Sequence, residues 1–500
     1  MSNANAVPTR TPASRLWLLV PLALVAVVYL VWSSAGNFNH WPVYTVLFDL
    51  QAEGFRRGQL SLPVTPAPQL LAAANPYDRA NSGYWIVDAI WHDGKWYLYW
   101  GPLPALLQAL GKSLLGVYEI VGDQYLLIVF SLLSTVFGAL LIEDIRQRMF
   151  SRVPRWVSVF CILALAFINP VVYLVATGGQ YQAAIAGGQA FLVAGMWCAF
   201  RAVQGDAPER RRRLWLFGAG CAFGASLACR ISLGAAAALV GLCAMLAAAW
   251  PCQRRSRAVL LNALCVGSAP LLSVAGLLLY NRLRFGSWLE FGMKEQVSYF
   301  EFKVSKSYFL TNLYAYALSP FELTCQFPFA LQSAVRGPKG VPAWVPMAND
   351  YLVREPIAGF LSTAPLSWLS PVPLLVTARH ACSLRREAWR SYAFLTLCFA
   401  VMGSISGVLV LFVYGATMRY LDDFIYGIAL LSVLGAFTWL ATRATALGRK
   451  LVGSAIAGLC SVTIILGLLL AYQGYDEHFP RRNPALNEKL VGLLSVCRHD

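Results

Sequence analysis

Two carboxylates open the chemistry of this sequence. Asp49 and Glu53 stand four residues apart in VYTVLFDLQAEGF, and that spacing sets both on one face of a short helix. A carboxylate shielded from water at a membrane edge can take a proton from a hydroxyl as a general base. The same two residues read as a solvated face, or as partners for Arg56 and Arg57. Further on, WIVDAIWHDGKWYLYW carries Asp88, Asp93, Lys95 and Tyr97 among tryptophans and tyrosines. Asp93-Gly94 between two aromatic, β-branched runs predicts a two-residue hairpin, because glycine tolerates the positive φ of such a turn. Asp88 is the candidate to face a site, and Asp93 serves the turn. The aromatic residues suit either a sugar platform or an interfacial belt.

The basic residues offer the complementary chemistry. Arg282 and Arg284 in YNRLRFGSWLEFG match phosphate oxygens in a two-pronged contact, or lie along an interface with their heads in water. Arg419-Tyr420-Leu421-Asp422-Asp423 opens a late apolar segment. A charge cluster there is costly unless it is paired or functional, so Arg419 either holds a lipid-linked phosphate or pairs with Asp422 or Asp423. Arg230 interrupts an apolar stretch, as a polar site or a helix turn. The five His residues are scattered without ligand spacing. No metal is indicated, although a divalent ion stays open. No GxSxG, phosphate-loop or dinucleotide fingerprint occurs.

The elements that must position these groups are membrane helices. The 500 residues are 58% hydrophobic and 13% charged, with mean hydropathy +0.56. Soluble domains carry about 25% charged residues, so a polytopic membrane protein is the first reading. The formal charge of +16 would suggest nucleic acid in a soluble protein. Here the arginines cluster in short loops, topology accounts for them, and no nucleic-acid partner is expected. Most of the 12 Cys, such as Cys161, Cys229 and Cys460, fall in apolar runs without CxxC, and read as small buried hydrophobes.

Spans need about 20 apolar residues. Eleven candidates emerge: 16–34, 124–145, 156–176, 181–201, 214–230, 232–250, 259–281, 357–378, 391–413, 424–441 and 451–472. The first reads as a retained signal anchor. Arginines at 146–155, 210–213 and 443–449 mark short cytoplasmic loops under the positive-inside rule. The single membrane domain, 1–500, is therefore expected to have its N-terminus inside and its tail, 473–500, outside. Two connections are long, 35–102 and 282–355, and their aromatic content argues against disorder. The first is the candidate active-site loop. The apolar 103–116 stretch after Gly101-Pro102 predicts a juxtamembrane helix.

The order of these parts resembles the GT-C-type polytopic glycosyltransferases, a group that includes protein O-mannosyltransferases, lipid A aminoarabinose transferases and bacterial relatives assigned only by family. The matching pieces run as FDLQAEGFRRGQL after the first span, HDGKWYLYWG, GPLPALLQALGKSLLG, a span ending in IEDIRQRM, and a late span opening RYLDDF; YNRLRFGS also looks like a stretch of bacterial members. Gly101-Pro102-Leu103 stands where the group has a tandem proline, and Asp49 lacks an acidic neighbour. The resemblance implies an enzyme of the bacterial inner membrane. It would transfer a sugar from a polyprenyl-phosphate donor to a glycan, lipid or protein acceptor outside the cytoplasm, with inversion and no cofactor. It puts Asp49 in the position of catalytic base. Glu53, Asp88, Lys95, Tyr97, Arg284, Arg419 and Tyr420 are then the candidate substrate-binding residues. Two rivals stand beside it. One is an O-antigen polymerase or ligase acting on a pyrophosphate-linked glycan. The other is a lipid-linked sugar transporter or flippase, against which the apolar middles of the spans argue.

Overall fold

In a computed structural model, the structure describes residues 15–39, 41, 43–204, 208–249, 256–299, 302–332, 341–352, 355–380, 387–474 and 477–497. Parts of the expected second loop and of the tail thus lie outside the described residues. The chain opens with α1 (Leu19–Ser34). The first long connection holds α2 (Leu47–Arg56), α3 (Pro68–Leu71) and the strands β1 (Ile90–His92) and β2 (Lys95–Tyr97). Then come α4 (Leu103–Leu115), α5 (Asp123–Met149), α6 (Arg155–Phe167), α7 (Val171–Thr177), α8 (Gln180–Val203), α9 (Glu209–Cys229), α10 (Gly234–Ala249) and α11 (Ser256–Phe285). The second long connection carries α12 (Phe309–Ala317), β3 (Phe321–Leu323) and β4 (Ala330–Gln332). The chain ends with α13 (Phe360–Thr363), α14 (Pro371–Arg379), α15 (Glu387–Val410), α16 (Met418–Ala441), α17 (Ala446–Gln473), α18 (His478–Arg482) and α19 (Pro484–Leu494).

The protein is an all-α, multi-pass membrane protein. Among the described residues, eight helices are long and apolar enough to cross a membrane, or nine if α6 and α7, bent by 44°, count as one. Two of the eleven expected spans change. The 357–378 stretch is broken into α13, a 3₁₀ turn at Pro365–Leu369 and α14, because Pro365, Pro371 and Pro373 cannot sit inside one helix. The 214–230 stretch is a helix, α9, but it extends back through Arg210–Arg213 and is less apolar than the rest. It packs extensively against α8 and α11. Leu260, Leu264, Leu271 and Leu272 on α11 are exposed, as suits a lipid-facing stripe.

The first long connection is anchored to this bundle. Leu47, Phe48, Trp91, Trp96, Leu98 and Trp100 form one buried cluster with Ala105 of α4, Phe130 of α5 and Ala183 and Ala186 of α8. The expected hairpin forms, with Trp91 opposite Trp96 and Asp93 and Gly94 both at positive φ. The juxtamembrane helix α4 spans almost the expected residues. Gly101 before it has no room for a side chain: an added Cβ would fall 1.9 Å from the Ala228 carbonyl oxygen.

Asp123 fastens α2 from outside. Its carboxylate accepts hydrogen bonds from Thr45 Oγ1 at 2.7 Å, Leu47 N at 3.0 Å and Phe48 N at 3.1 Å, an anion on the positive end of a helix. Asp49 then points into the α2–α4 contact. Its Oδ1 accepts from Lys112 Nζ at 2.7 Å and Gln108 Nε2 at 2.9 Å, with Asp49 and Lys112 only 3% and 5% exposed. Breaking a buried pair leaves an uncompensated charge. Lys112→Met is therefore expected to lower stability by roughly 3–5 kcal/mol, and Lys112→Met with Asp49→Leu to recover much of it. Thermal unfolding in detergent checks both; no loss in the single variant would mean that the pair contributes nothing.

A disulfide, Cys325–Cys497, ties the second long connection to the tail. The same contact is reinforced by Val496 N donating to Cys325 O at 2.9 Å and Phe327 N donating to Ser495 Oγ at 3.1 Å. The sequence reading did not single these two cysteines out. Disulfides persist in oxidising compartments. Maleimide labelling of Cys325 and Cys497 in intact cells is expected only after reduction; labelling without reductant would mean that the bridge does not form.

Candidate active site

Backbone pairing brings distant segments to one place. Asp88 N donates to Val297 O at 2.9 Å, Val297 N returns a bond to Ala89 O at 3.0 Å, and Ile90 pairs with Gln296. The same second connection is joined to the segment before α16. Ser305 N donates to Phe412 O at 2.9 Å, Tyr414 N to Lys303 O at 3.0 Å, and Leu352 N to Tyr414 O at 2.8 Å. The first connection, the second connection and the start of α16 therefore meet.

Where they meet lies a cavity of about 400 Å³, within the size range of small-molecule sites. One part of its lining is polar: Asp88, Tyr99, Tyr181, Arg230, Gln296, Arg419, Tyr420 and Asp423. Another is apolar: Ile231, Phe291, Met293, Phe302, Leu409, Val410 and Val413. Asp88 sits at φ 67°, in the left-handed region that a residue with a Cβ seldom adopts and that concentrates at functional sites.

The arginines enter with aromatic and acidic support. The Arg419 guanidinium lies 4.5 Å from the ring centre of Tyr181 and 5.6 Å from that of Tyr420, the cation–π arrangement. Its Nη1 is 3.2 Å from Glu355 Oε1. Arg230 donates from Nε and Nη2 to the two oxygens of Asp423, both at 2.6 Å. Of the pairings open in the sequence, neither Arg419–Asp422 nor Arg419–Asp423 forms among the described residues. The rings of Tyr99, Trp100 and Tyr181 close this wall, with Trp100 and Tyr181 edge to face at 4.8 Å. Burial, then the neighbouring Tyr181, holds the Tyr99 phenol well above its ordinary range, so it stays a hydrogen-bond donor.

Of the residues picked out in the sequence, Asp88, Arg419 and Tyr420 line the cavity, and so does Arg230. The others are elsewhere. Asp49 is enclosed between α2 and α4 by Lys112 and Gln108. Glu53 pairs with Arg57 at 2.9 Å and Arg56 at 3.2 Å, and the Arg57 hydrogen bond holds its carboxyl below the usual range. Lys95 is exposed on β2. Tyr97 is buried, its ring 5.6 Å from that of Phe285. Arg284 is also buried: it bonds to Leu98 O and to Asn281 Oδ1, and lies 3.7 Å from the centre of the Tyr280 ring. These contacts engage its two terminal nitrogens, while its Nε is buried with no hydrogen-bond partner among the described residues. Tyr99, Tyr181, Gln296 and Glu355 were not picked out as site residues in the sequence. Two of them carried a signal: Tyr99 as one of the aromatic residues of WIVDAIWHDGKWYLYW, and Tyr181 as an aromatic residue in a short turn almost free of basic residues. No group of three or more His, Cys, Asp or Glu arranged to hold a metal occurs among the described residues.

No protein-family profile matches the sequence, and no curated protein matches it. Among solved structures the chain is similar to ArnT from Cupriavidus metallidurans bound to undecaprenyl phosphate, at 13% identity over 94% of this chain and 78% of that one, with TM-score 0.49. It is also similar to the oligosaccharyltransferase of Archaeoglobus fulgidus in the apo form, at 12% identity over 92% of this chain, with TM-score 0.46. This chain spans 56% of that chain's length. Both are GT-C glycosyltransferases.

Proposed function

We propose that the protein is a glycosyltransferase that moves a sugar from a polyprenyl-phosphate donor to an acceptor hydroxyl outside the cytoplasm. The observation that carries this reading is the convergence of Asp88 and Arg419 on one cavity lined by both polar and apolar residues. The apolar lining residues suit the isoprenoid chain, Arg419 the phosphate, and the Tyr99–Tyr181–Tyr420 group the sugar. The motif order seen in the sequence agrees with it.

In this mechanism the acceptor hydroxyl loses its proton to the Asp88 carboxylate as its oxygen attacks the anomeric carbon. The bond between that carbon and the phosphate oxygen breaks, and the phosphate leaves with the electron pair. Arg419 stabilises the charge that develops there, the type of interaction that contributes most when it is preorganised. One displacement inverts the anomeric centre. Asp88 thus takes the role that the sequence resemblance gave to Asp49, and Asp49 becomes a positioning residue that locks α2 to α4. The acceptor is a cell-envelope glycan, lipid or protein. Both long connections and the tail face outward from the bacterial inner membrane, with the N-terminus inside; the Cys325–Cys497 bridge supports an oxidising side for two of these three segments.

The test is transfer by purified protein in nanodiscs, with a panel of polyprenyl-phosphate sugars and membrane-extract acceptors. Transfer with inversion, read by NMR of the product, is expected. Transfer only from pyrophosphate-linked glycans would assign the polymerase or ligase reading instead.

A further inference from the structure

Two arginines reach the cavity, and they are held differently. Arg230 is paired in bidentate fashion: two hydrogen bonds of 2.6 Å tie its Nε and Nη2 to Asp423, which is 1% exposed. Among the described residues, Arg419 has one ion-pair contact, at 3.2 Å to Glu355. Its Nε is buried with no hydrogen-bond partner among the described residues. The other oxygen of Glu355, Oε2, accepts from Met418 N at 3.2 Å, the first residue of the 24-residue helix α16. A helix N-terminus next to an arginine is where an anion is favoured. The Glu355 carboxylate occupies that position.

We propose that Glu355 is a resident counter-anion that the donor's phosphate displaces from Arg419, so that Glu355 sets how tightly the carrier lipid is held and how fast it leaves. This rests on the glycosyl-transfer reading above. Two anions on one guanidinium repel each other, so phosphate and carboxylate compete for Arg419. The competition matters most after transfer. The donor is a phosphodiester with one negative charge, and the product is a phosphomonoester with about −1.5 to −2. Arg419 alone would hold the product more tightly than the donor. A carboxylate returning to Arg419 and Met418 N offsets that and lets the spent carrier go. Asp423 cannot act in this way, because its two oxygens are already committed to Arg230.

The experiment measures binding of radiolabelled polyprenyl phosphate to the full-length protein in nanodiscs. Glu355→Gln keeps the shape and an oxygen for Met418 N but removes the charge. It is expected to bind polyprenyl phosphate about five- to tenfold more tightly than wild type, the scale of one partly buried ion pair. Its kcat is expected to fall because release slows, and Glu355→Asp to remain near wild type. Glu355→Ala serves as a second variant should Glu355→Gln unfold, and shifts affinity the same way. Unchanged or weaker binding in a folded variant overturns the proposal, since weaker binding would make Glu355 a support that orients Arg419. Wild type that binds no polyprenyl phosphate overturns the donor reading and this proposal with it.

Discussion

Asp88→Asn is expected to lower kcat by about 10²–10⁴, the usual contribution of a positioned general base, with binding of polyprenyl phosphate retained. The substitution is a clean one. Asp88 sits at φ 67°, a conformation that Asn adopts about as readily as Asp, so the backbone pairing of residues 88 and 89 with Val297 is preserved. What changes is the ability of the side chain to accept a proton. Asp49→Asn probes the other carboxylate. It leaves the Lys112 ammonium buried against a neutral amide, so a lower melting temperature is expected, with kcat of the folded protein within about tenfold of wild type. Transfer assays on both variants, each beside a melting curve, separate the two roles. A folded, inactive Asp49→Asn together with an active Asp88→Asn would return the base to Asp49.

The sequence made the membrane class and the local elements legible because each rests on short-range chemistry. Apolar length marked most spans. Asp93-Gly94 marked the hairpin, and Gly101-Pro102 marked the start of α4. It failed at 357–378, where apolar content outweighed three prolines whose geometry forbids one helix. The site was legible in part. Asp88, Arg230 and Arg419 stood out as charges beside apolar runs. Their assembly was hidden, because it depends on backbone pairing between residues far apart, such as Asp88 with Val297 and Lys303 with Tyr414. Glu355 was invisible for the same reason: its meaning comes from Arg419 and the start of α16, not from its neighbours. Asp49 is the converse case. A carboxylate on an amphipathic helix looks the same in sequence whether it faces a cavity or a lysine on the adjoining helix.

Arg419→Gln is the second large effect, an expected loss of about 10²–10³ in kcat/KM, comparable to removing one preorganised donor from a developing negative charge. Arg419→Lys is expected to restore only part of it. Lysine brings the charge but not the planar fork, nor the same stacking over Tyr181 and Tyr420. The contrast with Arg230 makes the assignment specific. Arg230→Gln removes the partner of a buried Asp423, so its main expected cost is stability, roughly 3–5 kcal/mol, and Asp423→Asn with Arg230→Gln should recover part of that. Donor binding in the folded fraction should be little changed, since both oxygens of Asp423 already engage Arg230. Donor affinity and melting temperature measured on the two glutamine variants decide between them. A stable Arg230→Gln with donor binding as weak as that of Arg419→Gln would mean that Arg230 leaves Asp423 to meet the phosphate, and that Arg419 is not the principal cation of the site.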